Sequence, residues 1–449
     1  MLSYPQLAAI RLGYGLSPLA DPPADPQALV RSVGSAGPDA RSFSMARDYR
    51  PHRIRNHDLN QRKGGPDRPA LKRLRETVRD LGMRAPQVRI ARAVDDRGGF
   101  GERLVQFWAD HFTVVTGNLF DAVASAAFVD EAIRPHLAGR FADLMLAAET
   151  HPRMITYLDQ VQSVGPNSPA GKRGRGVNEN LAREMIELHS LGADSGYAQA
   201  DVRQLALLLT GLTFRPVRDT GSFFNKAWAE PGSFRVLGKA YERGDDDGAI
   251  RQAIEDLAAH DATARHIARK LAVHFVADDP PAELVDRLAG AFRDSGGDLP
   301  TLYLVLAEAP ELRGCFRQKV RQPLDYIVAA LRACGLTGAD VLALDQRQFT
   351  NLVLGGMALM GQRWGRPRGP DGWPEDASAW ATAQGLAGRI DWTMRLLPKL
   401  LPEPPDPRAV LETALGDSAS EVLRRAVPRA ESPAEGLALI LASPDFNRR

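Results

Sequence analysis

Apolar residues recur three and four positions apart along most of the chain, and strand-like alternation is scarce. The spacing predicts helices over 104–115, 120–138, 141–149, 180–191, 202–212, 249–260, 262–275, 282–294 and 323–333. In the stretch from Ala262, the residues Ala264, Ile267, Ala268, Leu271 and Phe275 share one face. Arg265, His266, Arg269 and Lys270 occupy the opposite face and read as solvated, and Pro280 and Pro281 end the helix. The pattern predicts an all-α fold, a multi-helix orthogonal bundle with long loops and room for one short hairpin.

Three stretches break this rhythm. Residues 34–69 are polar, basic and rich in turn formers, and read as a long surface loop or disordered insertion. Residues 214–248 carry Phe223, Phe224, Trp228 and Phe234 among glycines and prolines, which predicts an ordered loop pinned by aromatics or a short hairpin. Residues 365–376, GRPRGPDGWPED, form a third connection, flanked by Trp364 and Trp380. The resulting division is an N-terminal helical segment (1–33), a basic polar loop (34–75), a helical core (76–215), an aromatic-pinned loop (216–248), a helical subdomain (249–345) and a helical tail packed on the core (346–449).

Composition changes this picture little. At 449 residues the chain has room for two or three packed units, and its 44% hydrophobic and 25% charged residues suit a sizeable core. A formal net charge of +2 favours no particular partner, and nucleic acid is not expected. Cys315 and Cys334 make neither a disulfide framework nor a thiolate zinc site, so both read as free thiols. The start, MLSYPQLAAIRLGYGLSP, lacks the basic and apolar regions of a secretory signal. No apolar run reaches the ~20 residues of a membrane span. A cytoplasmic location is the expectation from these residues.

The chemistry concentrates in 176–213, GVNENLAREMIELHSLGADSGYAQADVRQLALLLTGLT. On a regular helix Asn180, Glu184, Glu187 and Leu191 fall within a sector of ~60°, and Leu181, Met185 and Leu188 form an apolar stripe beside it. Gly192 suits the C-terminal stop. His189 lies about 150° from Glu184 and Glu187, so a regular helix does not aim all three at one ion. Glu184 and Glu187 together can hold a divalent cation, or one of them can act as a general acid or base. The alternative is a solvated face on which Arg183 pairs with Glu187. Asn178, Asn180 and Arg183 crowd the helix start, where such groups cap, clamp or bind anions.

A second candidate is 102–118, ERLVQFWADHFTVVTGN, where Trp108 and His111 are i, i+3 partners. His111 is read either as a ligand or proton shuttle, or as a core histidine; Glu102 and Asp110 lie on other sectors and read as solvated. A third is 157–168, YLDQVQSVGPNS, which offers Asp159, Asn167 and Ser168 and leads into the basic loop GKRGRG, a weak anion-binding candidate. Neither a nucleophile elbow nor a phosphate loop is present. GDDDG (244–248) reads as a solvated turn, and His260, His266 and His274 are spread around their helices without a metal face.

NENLAREMIELHSLGADSGYAQADVRQLALLLTGLTF resembles the signature of the bacterial domain-of-unknown-function family numbered 1800. AIRLGYGLSP, LVQFWADHFTV, YLDQVQSVGPNSP, HDATARHIARKLAVHFVADDPP and the closing LILASPDF resemble further motifs of that family, so the likeness spans nearly the whole chain. One departure is Ala198, where the family commonly has threonine; loss of that cap costs about 1 kcal/mol locally. The resemblance implies a mainly helical protein and carries no established reaction. Its members often stand beside genes for a sulfatase-like family, numbered 1501, which implies a candidate partner and, through it, a route to the periplasm. Two functions follow as expectations. One is an enzyme or ligand-binding protein, with Glu184, Glu187, His189 and His111 as catalytic residues. Its ligand would be held by Asn178, Asn180, Arg183, Asp159, Asn167 and Ser168, with metal-assisted hydrolysis or acid/base chemistry as the reaction. The other is a non-enzymatic accessory or maturation partner of the sulfatase-like protein, in which the same groups form a buried polar network.

Overall fold

The computed structural model describes residues 2–63, 65–173 and 176–449. Helix accounts for 62% of the chain, and the only sheets among the described residues are two short antiparallel pairs, so the fold is predominantly all-α. The 28-residue helix Arg68–Asp95 is its spine. Leu71, Leu74, Val78 and Val88 on this helix enter a core built with residues before 317. Ile90, Ala91, Ala93 and Val94, near its C-terminal end, enter a second core made mostly of residues 324–446. One helix thus sits in both hydrophobic clusters and fixes one against the other.

Predicted helices recur with local adjustments. Ala282–Asp294 and Pro323–Ala333 fall where periodicity places them, and the pattern at 262–275 is realised as Asp261–Phe275. The 120–138 stretch begins at Leu119, capped by Asn118, and widens into a π turn at Val129–Ile133. Phe100–His111 starts earlier than expected and stops where Phe112 leaves helical geometry.

The largest correction concerns 34–69, where residues 45–60 are helical rather than loop. A π turn at Met45–Tyr49 leads into the helix Arg50–Asn60. Few apolar residues hold it, but each is well placed: Phe43, Met45, Tyr49 and Leu59 are buried, and the Arg53 guanidinium stacks 4.9 Å from the Phe120 ring. Asp67 then caps the spine helix by accepting from Ala70 N–H. Residues 214–248 form the expected hairpin, Ser233–Val236 paired with Lys239–Glu242. Its two turn residues, Leu237 and Gly238, both have positive φ, the conformation a two-residue hairpin turn demands. A shorter pairing joins Leu212–Thr213 to Phe223–Phe224, and Arg243 stacks on both Phe224 and Phe234. Residues 365–376 are a connection without helix or strand beyond an isolated bridge, Gly369–Gly372.

Both cysteines are free. Among the described residues no helix is long and apolar enough to cross a membrane.

Candidate functional site

The helix at the heart of the signature is not regular. It runs as α-helix over Asn180–Glu184 and as a π turn over Met185–His189. A π turn closes i to i+5, so His189, five residues after Glu184, comes back toward the same side of the helix. The angular separation of His189 from Glu184 is thereby narrowed, while Glu187, two residues away, stays on the other side. Leu181, Ala182, Met185 and Ile186 fill the core, whereas Leu188 is only half-buried. Gly192 ends the element with φ +91°, its N–H donating to the Ile186 carbonyl. A Cβ there would lie 2.8 Å from His266 Nδ1, so glycine also lets the His266 ring approach.

The polar residues of this helix separate into two groups. Arg183 bridges Glu187 at 3.0 Å and Glu179 at 3.5 Å and donates to Gln199 at 2.9 Å, while Arg203 reaches Glu179 at 3.1 Å. This lattice is partly exposed, and such pairs contribute at most about 1 kcal/mol each. Asn178 accepts from Asn180 N–H at 2.8 Å and so caps the helix start. Together with Val161, Gln162 and Glu179, the two asparagines line an open depression.

Glu184 and His189 belong to the second group. His189 is buried, and its Nδ1 lies 2.6 Å from Glu149 Oε1, at the end of the Phe141–Thr150 helix. Its main-chain oxygen meets His111 Nε2 at 3.2 Å. Buried without hydrogen-bond partners among the described residues are His189 Nε2, His111 Nδ1 and Glu149 Oε2. Glu184 is half-buried within electrostatic reach of His189 and Glu149, and accepts no hydrogen bond from any described residue. Burial pushes its carboxyl above the ordinary glutamate value; Glu187 and Glu149 push the same way, against His189 and Arg183.

Other elements bring further titratable groups close to this pair. His111 and His266 rings lie 6.3 Å apart, His111 and His189 rings 5.9 Å apart, and His266 Nε2 meets the Leu188 carbonyl at 3.1 Å. Burial, with Lys270 adding to it, keeps both His111 and His266 neutral at physiological pH; the His266 value falls to about 4. Lys270, one turn beyond His266, makes no hydrogen bond or ion pair with a described residue. Burial lowers its pKa, while Asp110, Glu375 and Asp371 counteract. Burial raises the Tyr157 pKa, and Glu184 and Asp371 push the same way. The face of Asp261–Phe275 expected to be solvated is therefore mixed: Arg265 and Arg269 are exposed, whereas His266 and Lys270 are half-buried.

Glu102 and Asp110 also depart from the solvated reading. Glu102 is buried in a bidentate pair with Arg134 at 2.6 and 3.0 Å. The Asp110 carboxyl accepts the Trp373 N–H at 3.0 and 3.2 Å, and Gly372, at φ +84°, lets the 365–376 connection close onto it. Asp110 is half-buried. Burial raises its pKa to about 7, although the Trp373 N–H works against the shift. Asp110 therefore favours the folded state most fully below the ordinary aspartate pKa of ~3.9, and that contribution is lost as pH rises through its folded value. The stability of the wild type relative to Asp110→Asn should decline from about pH 4 to about pH 7 and then level off. Urea unfolding at a series of pH values measures it, and a flat difference would contradict the assignment.

The remaining sequence candidates lie apart. Asp159 adopts a left-handed conformation, φ 58°, and accepts from the Gln162 amide. Asn167 is fastened to Glu230, and the buried Ser168 hydroxyl accepts from Gly171 N–H at 3.0 Å, so both shape a turn. Of the GKRGRG loop, Gly174 and Arg175 lie outside the described residues. At Ala198 no side chain caps the helix, and only the reciprocal half of the capping arrangement remains, Asp201 accepting the Ala198 N–H at 2.9 Å. His274 sits elsewhere, between Arg103 and Glu375 at 2.8 and 2.6 Å. Sequence reasoning missed Glu149, Lys270, Tyr157 and Asp371, which come from four separated segments and carry no shared spacing. The only available signal was His266 and Lys270 at i, i+4.

A helical protein with a cluster of histidines and carboxylates at an irregular helix is the class that fold and geometry define. The chain belongs to the family described as Protein of unknown function (DUF1800), whose family model matches residues 8–448. No curated protein and no solved structure matches it.

Proposed function

We propose that this chain is an enzyme or ligand-binding protein of the acid/base type, acting on a small polar ligand in the crevice at the signature helix. Glu184 is the group that exchanges a proton with the ligand, and hydrolysis is the reaction class that suits it. One observation carries the reading: a half-buried carboxyl with a raised pKa and no hydrogen-bond partner among the described residues lies within electrostatic reach of a buried Glu149–His189 pair. Glu149 orients the His189 ring, and His189 and His111 act as positioning residues beneath Glu184. Lys270 and His266 supply a cation and a neutral imidazole from the facing helix. Among the described residues no three His, Cys, Asp or Glu side chains are grouped to hold a metal ion, so the protein's own groups carry the proposal.

The test is a screen of the purified chain against chromogenic esters, phosphates, sulfates and glycosides. Glu184→Gln should lower a detected turnover by ~10²–10⁴-fold, the usual contribution of a positioned acid or base. His189→Asn should instead move the pH profile while leaving measurable turnover. An activity that survives Glu184→Gln at the wild-type rate contradicts the reading.

A second reading keeps the chain non-enzymatic, as an accessory or maturation partner of a sulfatase-like protein. The partly exposed Glu179–Arg183–Glu187–Arg203 lattice favours it, because an ordered charged surface suits a protein partner. Cytoplasmic residence, or carriage to the periplasm with that partner, belongs to this proposal. Co-purification with the sulfatase-like protein that disappears on charge reversal of Arg183 and Arg203 would support it.

A further inference from the structure

A cleft of about 610 Å³ opens among Arg68–Asp95, Phe100–His111, Leu119–Phe128 and the segment 354–373. That volume lies in the range of small-molecule sites. Its walls are mostly apolar, with Met83, Pro86, Ala122, Met357, Trp364 and Trp373 prominent. Its charged lining is one-sided: five arginines against two aspartates. Two of those arginines are already engaged, since Arg92 pairs with Asp39 and Asp130, and Arg134 with Glu102 and Asp130. Arg79 and Arg366 are exposed at the rim.

Arg89 is different. Its guanidinium lies 5.6 Å from the Trp364 ring centre, and its one hydrogen bond among the described residues, to the Val105 carbonyl, is long at 3.4 Å. It makes no ion pair with a described residue. Burial opposes its charge, and the nearby Arg134 opposes it further. A guanidinium offers five donors in a planar fork that matches carboxylate and phosphate oxygens. Tyr14, Glu102 and Asp130 favour its charge from a distance, but no described carboxylate comes within ion-pair reach of it in this apolar, tryptophan-walled cleft.

We infer that this cleft is a binding site for a small amphipathic organic anion, with its aromatic or acyl body against the tryptophan-bearing walls and its carboxylate or phosphate head on Arg89. The site is separate from the Glu184 crevice and does not depend on the acid/base reading.

Calorimetric titration of the full chain with 2-naphthoate, 2-naphthyl phosphate and the neutral 2-naphthylmethanol tests it. Both anions, or one of them, should bind with one-to-one stoichiometry, at least about tenfold more tightly than the alcohol. The tighter of the two identifies the head group. Arg89→Met should weaken anion binding by about tenfold or more and leave the alcohol unchanged, with Arg89→Lys restoring part of the loss. Trp364→Ala, which keeps the guanidinium, should weaken all three ligands and serves if Arg89→Met does not fold. Glu184→Gln should change none of these affinities, which separates this site from the crevice. Equal affinity for anion and alcohol, unchanged affinity in Arg89→Met, or no saturable anion binding would each overturn the inference.

Discussion

Replacing Asp325 by alanine should destabilise the protein by about 3–5 kcal/mol, the usual cost of removing one partner from a buried ion pair. Asp325 sits on the Pro323–Ala333 helix and is 2% exposed. Its Oδ2 lies 3.1 Å from Arg103 Nη1 and 3.5 Å from Arg449 Nη1. Arg11, Arg321 and Arg389 are also fully buried. Main-chain oxygens satisfy part of this cationic group: Arg321 donates to Phe446 at 2.9 Å, Arg389 to Arg321 at 2.6 Å and Arg449 to His274 at 3.2 Å. Carbonyl dipoles do not replace a full negative charge. Burial already lowers Arg321 to about 10, and Asp325 is the first group that opposes the shift. Without it, Arg103 and Arg449 lose their counter-charge in a dry interior. Asp286→Ala provides the contrast, because the Arg265–Asp286 pair is exposed on both sides and should change stability by no more than about 1 kcal/mol. Urea unfolding midpoints of the two variants give the comparison; similar midpoints would contradict the assignment.

Arg134→Ala should have an effect of the same size, about 3–5 kcal/mol, with a pH signature of its own. Arg134 donates to both Glu102 oxygens, to Asp130 at 2.8 Å and to the Ala36 carbonyl at 2.7 Å. Asp130 keeps Arg92 at 2.9 Å after the substitution, but Glu102 loses its ion-pair partner. An orphaned buried carboxylate titrates above its unfolded value. Its stabilising contribution is then present at low pH and lost as pH rises through the raised value. The deficit of Arg134→Ala should therefore be greatest near neutral pH and shrink as acid protonates Glu102. A deficit that grows on acidification would contradict the pairing. The network matters to the fold because it ties 36–43 to the spine helix, to Phe100–His111 and to the π turn at Val129–Ile133.

Much of the fold was legible because apolar spacing reports burial directly. Asp261–Phe275 and Ala282–Asp294 were found from that spacing alone. The spine helix Arg68–Asp95 escaped notice because Pro86 interrupts it and arginines crowd its surface, although its buried residues keep helical spacing. Arg50–Asn60 was hidden by composition: one buried leucine and a cation–π contact hold it, and neither registers as a hydrophobic stripe.

Site chemistry was legible only in part. Glu184, His189 and His111 stood out as polar groups on helices, but their arrangement depends on the π turn at Met185–His189, which a regular 100° wheel does not produce. Glu149 becomes meaningful only through its 2.6 Å contact with His189, forty residues away. The ion pairs of Glu102 and Asp325 follow from tertiary packing, where a buried charge must find a partner wherever the fold supplies one.

A crystallographic soak of the protein with a library of small polar fragments tests the central claim, that the crevice at the signature helix is a ligand site. The predicted result is fragment density contacting Glu184, with His266 or Lys270 on the facing wall. A crevice that holds only water across the library, while fragments collect elsewhere on the molecule, would contradict it.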